Sequence, residues 1–174
     1  MSLISNQVIA LRALEPSDLD LLYKWENDTD VWTATDTQAP YSRHVLRQFI
    51  ESHTGDIYTS RQLRLIITLK STGEAIGTVD FTDFDPLNNR AELGMLIAHE
   101  HQGQGYGRMA LQLIKQYACE HIGLRQLYVV IADTNAACLS IFEKEGFEAT
   151  GHLKAWIKRG RTYHDATFMQ YVFG

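Results

Sequence analysis

Ile97-Ala98-His99-Glu100-His101-Gln102-Gly103-Gln104-Gly105-Tyr106-Gly107-Arg108 is the stretch on which the reading of this chain turns. To its left lies a run, 90–98, that predicts a strand. To its right a helix is predicted from about Gly105 to His121, with Ala110, Leu113, Ile114, Tyr117 and Ala118 at the helical period. Three alternate glycines join the two. Glycine lets a backbone approach a ligand closely, and the first turn of a helix presents N–H groups that have no internal acceptor. Strand, glycine loop and helix start together predict a phosphate site. A P-loop is excluded, because no Lys-Ser or Lys-Thr follows the glycines. The dinucleotide fingerprint Gly-x-Gly-x-x-Gly fails as well, since 103–108 reads Gly-Gln-Gly-Tyr-Gly-Arg.

Working outward, Val8 to Leu11 predicts a first strand, and Pro16 opens a helix whose apolar side is Leu19, Leu22, Tyr23 and Trp25. Asn27 to Pro40 reads as irregular. A second helix is predicted from Ser42, with Val45, Leu46, Phe49 and Ile50 at helical spacing. Residues 62–69 and 75–84 read as strands joined at Ser71-Thr72-Gly73. Beyond the glycine loop and its helix, Leu127 to Ile131 reads as a buried strand. Asn135 to Glu145 is a short helix stopped by Gly146, and strands are predicted at about 147–157 and 162–173. The order β-α-α-β-β-β-α-β-α-β-β predicts one mixed α/β domain over 1–174.

The chain has 174 residues, enough for one core, and a net charge of −5 with pI near 5.8. Nothing in that balance supports nucleic-acid binding. No apolar run is long enough for a membrane helix, and Met1 to Gln7 lack the plan of a secretion signal. Cys119 and Cys138, both on helical patterns, read as buried free thiols of a cytoplasmic protein. The seven histidines show no metal-binding spacing, so no metal is expected. Charge is uneven: seven acids stand between Glu15 and Asp36 beside one base, Lys24, whereas Lys154, Lys158, Arg159 and Arg161 lie between His152 and His164 without an acid. Such runs are either solvated surfaces or an acidic entrance for a cationic substrate with a basic rim elsewhere.

Gln102-Gly103-Gln104-Gly105-Tyr106-Gly107 matches Gln/Arg-x-x-Gly-x-Gly/Ala, and an Asn opens the next helix about 30 residues on, at Asn135, with Gly146-Phe147 after it. On both motifs the chain resembles the GNAT superfamily of acetyl-CoA-dependent N-acetyltransferases. Within it, Arg90-Ala91-Glu92, Glu100-His101-Gln102-Gly103, Gly151-His152-Leu153 and Gly160-Arg161 are similar to spermidine N-acetyltransferases and their relatives that modify ribosomal-protein N-termini. The resemblance implies a central, mostly antiparallel sheet of about six to seven strands with about four flanking helices. It further implies acetyl-CoA held by Met95, Leu96, Ile97, Gln102, Gly103, Gln104, Gly105, Tyr106, Gly107, Arg108, Asn135, Cys138, Phe142 and Lys144. The acceptor would be a polyamine-like small amine or a peptide N-terminus, met by Glu26, Asp28, Trp32 and Glu92. Oligomeric state is left open, a homo-oligomer included.

The implied reaction is direct attack by an amine on the thioester. An alkylammonium titrates near 10.4, so it must first lose a proton, and a carboxylate can take it. Glu92, on the strand leading into the loop, is the candidate base; otherwise it binds the cationic acceptor or pairs with Arg90. The developing oxyanion would be met by main-chain N–H groups around Leu96 and Ile97. Phe142 occupies the position where the family's Tyr serves as acid, and it reads as core packing beside Leu139. The acids that flank a Pro-Tyr in polyamine-regulated relatives are absent: Gln38-Ala39 precede Pro40-Tyr41, and Leu46 holds the later position. A non-catalytic acyl-CoA binder is the competing reading.

Overall fold

The computed structural model describes residues 4–32, 35 and 37–174; Met1 to Leu3 of the N-terminal reading and Asp36 of the acidic run lie outside them. Seven strands form one sheet: β1 Ile9–Ala13, β2 Leu63–Leu69, β3 Ala75–Asp85, β4 Arg90–Ile97, β5 Gln126–Ala132, β6 Glu148–Arg159 and β7 Thr162–Val172. Their spatial order is β1-β2-β3-β4-β5-β7-β6, and every neighbouring pair is antiparallel except β4 with β5. The mixed α/β fold and the seven-stranded, mostly antiparallel sheet are as expected.

Six α-helices flank the sheet among the described residues, against about four expected: α1 Leu19–Glu26, α2 Thr29–Trp32, α3 Arg43–Ser52, α4 Ile57–Ser60, α5 Tyr106–Tyr117 and α6 Ala136–Lys144. The additions, α2 and α4, are single turns. The first lies within 27–40, read as irregular; the second is capped by Asp56, whose side chain accepts from the backbone N–H groups of Tyr58 and Thr59. Ser42 caps α3 by accepting from the Val45 N–H at 3.1 Å. Leu46 and Ile50 of that helix are buried, whereas Val45 turns outward. The chain of α5 continues into a wider π-helical turn, Ala118–Ile122, which ends at Gly123 with φ 78°. Cys119 in that turn is exposed, against the expectation of a buried thiol, and Cys138 is half-buried.

Each face of the sheet has its own core. Ala91 and Leu93 of β4 are buried against the α5 side, where Ala110, Leu111, Leu113 and Ile114 pack, with Met95 and Ile97 at its margin. On the other side Leu96 joins Leu22, Trp25, Leu46 and Ile50 of α1 and α3. Side chains of a strand alternate between faces, so β4 feeds both cores at once. Close approach of β3 and β4 is made possible by Gly77, where a Cβ would lie 2.1 Å from the Leu96 carbonyl oxygen. No described helix is long and apolar enough to cross a membrane.

Candidate active site

β4 and β5 are hydrogen-bonded only from Arg90↔Gln126 to Glu92↔Tyr128. Beyond that point the two parallel strands part, and a cleft of about 470 Å³ opens between them. Met95, Leu96 and Ile97 of β4 line one wall. His99 and Gln102 follow from the glycine loop, Thr134 and Asn135 from the segment before α6, Asp28, Asp30, Val31 and Thr35 from the α2 region, and Arg159 from the tip of β6.

The glycine loop is pinned where it leaves β4. The Gln102 side-chain amide donates to the Ile97 carbonyl at 3.0 Å, Lys24 pairs with Glu100 at 2.6 Å, and His101 meets Glu74 at 3.2 Å. Gly103 and Gly105 have φ of 74° and 84°, and a Cβ on either would meet no atom within 4 Å. That backbone faces open space at the start of a twelve-residue helix, so its donors are available to a phosphate. Gly107 instead faces inward, where a Cβ would sit 3.4 Å from the Met95 methyl and couple α5 to the cleft wall. The Arg108 side chain turns away from the loop: its Nε donates to Glu145 Oε1 at 2.5 Å, alongside Lys115 and Gln112. Burial works against the Glu145 charge, but these three donors outweigh it and hold the carboxyl below its usual range.

Asn135 caps α6, its Oδ1 accepting from the Cys138 N–H at 3.2 Å, and it also lines the cleft. Cys138, Phe142 and Lys144 lie outside the cleft lining. Burial pushes the Cys138 thiol up to about 11. Phe142 is 2% exposed and packs edge-on to Phe147 with ring centroids 4.9 Å apart, and Lys144 is exposed. Gln104 and Tyr106 border the loop without lining the cleft; Tyr106 packs against the α5-side core.

On the acceptor side, Asp28 lines the cleft as expected. Its Oδ1 accepts from the Asp30 N–H at 3.0 Å. Trp32 does not line the cleft; its indole donates to the Glu26 carbonyl at 2.7 Å. Glu26 is not free to meet a cation. It pairs with Arg64 at 2.6 Å, and Arg64 Nε also donates to Asp80 Oδ1 at 2.5 Å. Burial disfavours the Arg64 charge, but Asp80 and Glu26 overcome that and raise its pKa. Burial outweighs Arg64 at Asp80, whose carboxyl is raised. Burial likewise lowers His53, whose Nε2 accepts from the Arg64 N–H. Sequence reasoning missed this cluster, although a charged residue between Leu63 and Leu65 in an apolar strand signals an inward ion pair. Glu92 is half-buried at the vertex where the strands part, not along the cleft wall. Burial and the Glu92 charge both push the neighbouring Tyr128 phenol up. Arg90 pairs with Asp85 at 3.2 Å.

Asp133, His152 and Asp165 bring ligand-type atoms within 4.8 Å of one another. Internal bonds already hold them: His152 Nε2 lies 3.0 Å from Asp165, Thr167 donates to Asp133, and the Ala155 N–H donates to Asp165.

Residues 9–148 match the family described as "Acetyltransferase (GNAT) domain". The chain is similar to the spermidine N(1)-acetyltransferase of Escherichia coli K12, 28% identical over 153 residues that cover 86% of this chain and 77% of that protein. Its fold is similar to a spermidine N-acetyltransferase from Vibrio cholerae solved with CoA and spermine, at TM-score 0.87 and 26% identity over 96% of each chain. A dodecameric structure of the Vibrio cholerae enzyme matches at TM-score 0.81 and 25% identity, covering 96% of this chain and 95% of that one.

Proposed function

From the premise that this chain belongs to the GNAT acetyltransferase family and is an N-acetyltransferase, we propose that it moves an acetyl group from acetyl-CoA to a primary amine, either a small amine or a peptide N-terminus, by direct attack. The observation that carries this reading is the cleft itself. It opens where β4 and β5 part, and the glycine loop leads from its β4 wall into the N-terminus of α5.

Backbone N–H groups of Gly103, Gln104, Gly105, Tyr106, Gly107 and Arg108 would hold the pyrophosphate, and the open space over Gly103 and Gly105 fits that group. Asn135 and the main chain of Met95, Leu96 and Ile97 would hold the arm that reaches into the cleft. Acetyl-CoA supplies the activated acyl group. The residues of this chain orient the acceptor, receive its proton and face the developing oxyanion. The free edge of β4 at Ile97 offers its N–H to that oxyanion, whereas the Leu96 main chain faces β3. Glu92 is the proposed proton acceptor, reached from the vertex through water. Phe142 contributes packing and no proton. Association of several copies is supported by the dodecameric neighbour.

The test is release of free thiol from acetyl-CoA across a panel of primary amines, with Glu92→Gln beside the wild type. Turnover that rises with pH, and falls in Glu92→Gln at unchanged KM, supports the reading. A raised KM at unchanged kcat would move Glu92 to acceptor binding. Tight acetyl-CoA binding without thiol release from any amine would leave a non-catalytic acyl-CoA binder. Phe142, lacking a hydroxyl, is the observation in favour of that second reading.

A further inference from the structure

The cleft contains a guanidinium that acetyl transfer to a simple amine does not use. Arg159 stands at the Arg159↔Thr162 pair that closes the β6–β7 turn, and it lines the cleft. Its Nε is shut off from solvent and meets no acceptor among the described residues. It forms none of the salt bridges among the described residues, whereas Arg64 and Arg108 are paired with carboxylates. Leaving a buried donor unmatched is costly, and native proteins seldom do so. Because that nitrogen lies out of reach, a ligand in the cleft would be met by the other nitrogens of the guanidinium, on the residue that lines it.

The charge of the cleft is therefore mixed. Glu26, which the acidic run offered to a cation, is consumed by Arg64. Among the described residues, the formally charged side chains along the lining are Asp28 and Asp30 on one element and Arg159 on another. A polyamine carries only cations and gives Arg159 nothing to bind. We propose that the acceptor is an amine that also bears a carboxylate, such as an α-amino acid. Its ammonium end is drawn to Asp28 and its carboxylate pairs with Arg159, whose planar fork matches a carboxylate. Val31 and Leu96, on the α1/α3 side of β4, supply an apolar wall for an aliphatic side chain. The claim rests on the acetyl-transfer reading above and narrows its substrate class. The bond made is amine nitrogen to acetyl carbon, the bond broken is carbon to sulfur, and the proton lost by nitrogen is balanced by the one gained by the thiol.

The experiment compares L-leucine, L-leucinamide, isopentylamine and spermidine as acceptors, by free-thiol release, in wild type, Arg159→Gln and Arg159→Lys. Calorimetric binding of leucine and leucinamide is measured in parallel. A charge-assisted pair predicts a KM for leucine about tenfold or more below that for leucinamide. That preference should vanish in Arg159→Gln and survive in part in Arg159→Lys, with the KM for acetyl-CoA within about twofold of wild type. Equal use of leucine, its amide and spermidine, unmoved by Arg159→Gln, overturns the inference and leaves acetyl transfer standing. A KM for acetyl-CoA raised by one factor with every acceptor assigns Arg159 to the nucleotide and also overturns it. If no acceptor releases thiol, acetyl transfer fails and calorimetry decides. Leucine binding that exceeds leucinamide binding and is lost in Arg159→Gln sustains the carboxylate contact; equal binding refutes it.

Discussion

Replacing Arg64 with Met removes the cation that lies between Glu26 and Asp80. The side chains of Arg64, Glu26 and Asp80 are 20%, 17% and 15% exposed, so water makes up little of the loss. Breaking a buried ion pair by deleting one partner costs about 3–5 kcal/mol, because the other charge is left uncompensated. For a chain of this length, 1 kcal/mol moves Tm by about 2–4 °C, so Arg64→Met should melt about 6–20 °C lower at neutral pH. The pH dependence identifies the cause. Burial already raises the Asp80 carboxyl in the folded state, and without Arg64 it rises further. A carboxyl with a raised folded pKa contributes stability that is complete below its unfolded pKa, about 3.9, and is lost as pH rises through the folded value. The deficit of Arg64→Met should therefore shrink from pH 7 toward pH 4. The double variant Arg64→Met/Asp80→Asn should recover a large part of it at pH 7. Urea or thermal unfolding at several pH values reads both. A deficit below about 1 kcal/mol, or one that is the same at pH 5 and pH 8, would refute the argument.

Gly105→Asp places a carboxylate where φ is 84° and the backbone faces open space; acetyl-CoA affinity by calorimetry should fall at least tenfold, for a stability loss of about 1–2 kcal/mol from the left-handed backbone. Asn135→Ala removes the α6 cap and should cost about 0.5–2 kcal/mol in denaturant unfolding; acetyl-CoA affinity should fall as well, and unchanged affinity would limit Asn135 to capping. Gly77→Ala drives a methyl into the Leu96 carbonyl, so it should destabilise by about 1–3 kcal/mol or more and raise the KM for acetyl-CoA, since Leu96 and Ile97 form the cleft wall.

The parts of this molecule legible in its sequence are those encoded by local pattern. Apolar spacing placed α5, and the glycines marked its junction with β4. The Asn135 and Gly146 pair bounded α6 to within a residue. One-turn helices have no period to detect, so α2 and α4 were not anticipated. Glu26 was read as an acceptor contact because its partner, Arg64, lies 38 positions away in sequence and reaches it only when α1 packs on the sheet. Arg159 was read as one member of a basic rim. The fold separates it from Lys158 and Arg161 by turning it into the cleft, and a strand–turn–strand pattern does not say which of four neighbouring cations faces inward. Phe142 carries two expectations, core packing and a contact to acetyl-CoA; its burial against Phe147 agrees with the first.

The limited pairing of β4 with β5 also sets a mechanical scale. Among the described residues, strands β1 to β4 and strands β5 to β7 meet through main-chain bonds from Asn89–Glu92 to Arg125–Tyr128 and not beyond, so the sheet is a pair of jaws with its fulcrum at Glu92. From that fulcrum to Ile97 the jaw extends about 16 Å, at about 3.3 Å per residue. A rotation of about 5° would then widen the rim by about 1.4 Å, close to the radius of a water molecule. Substitutions at the fulcrum that leave every lining residue in place should alter how thick an acceptor the mouth admits, with leverage that grows toward Ile97.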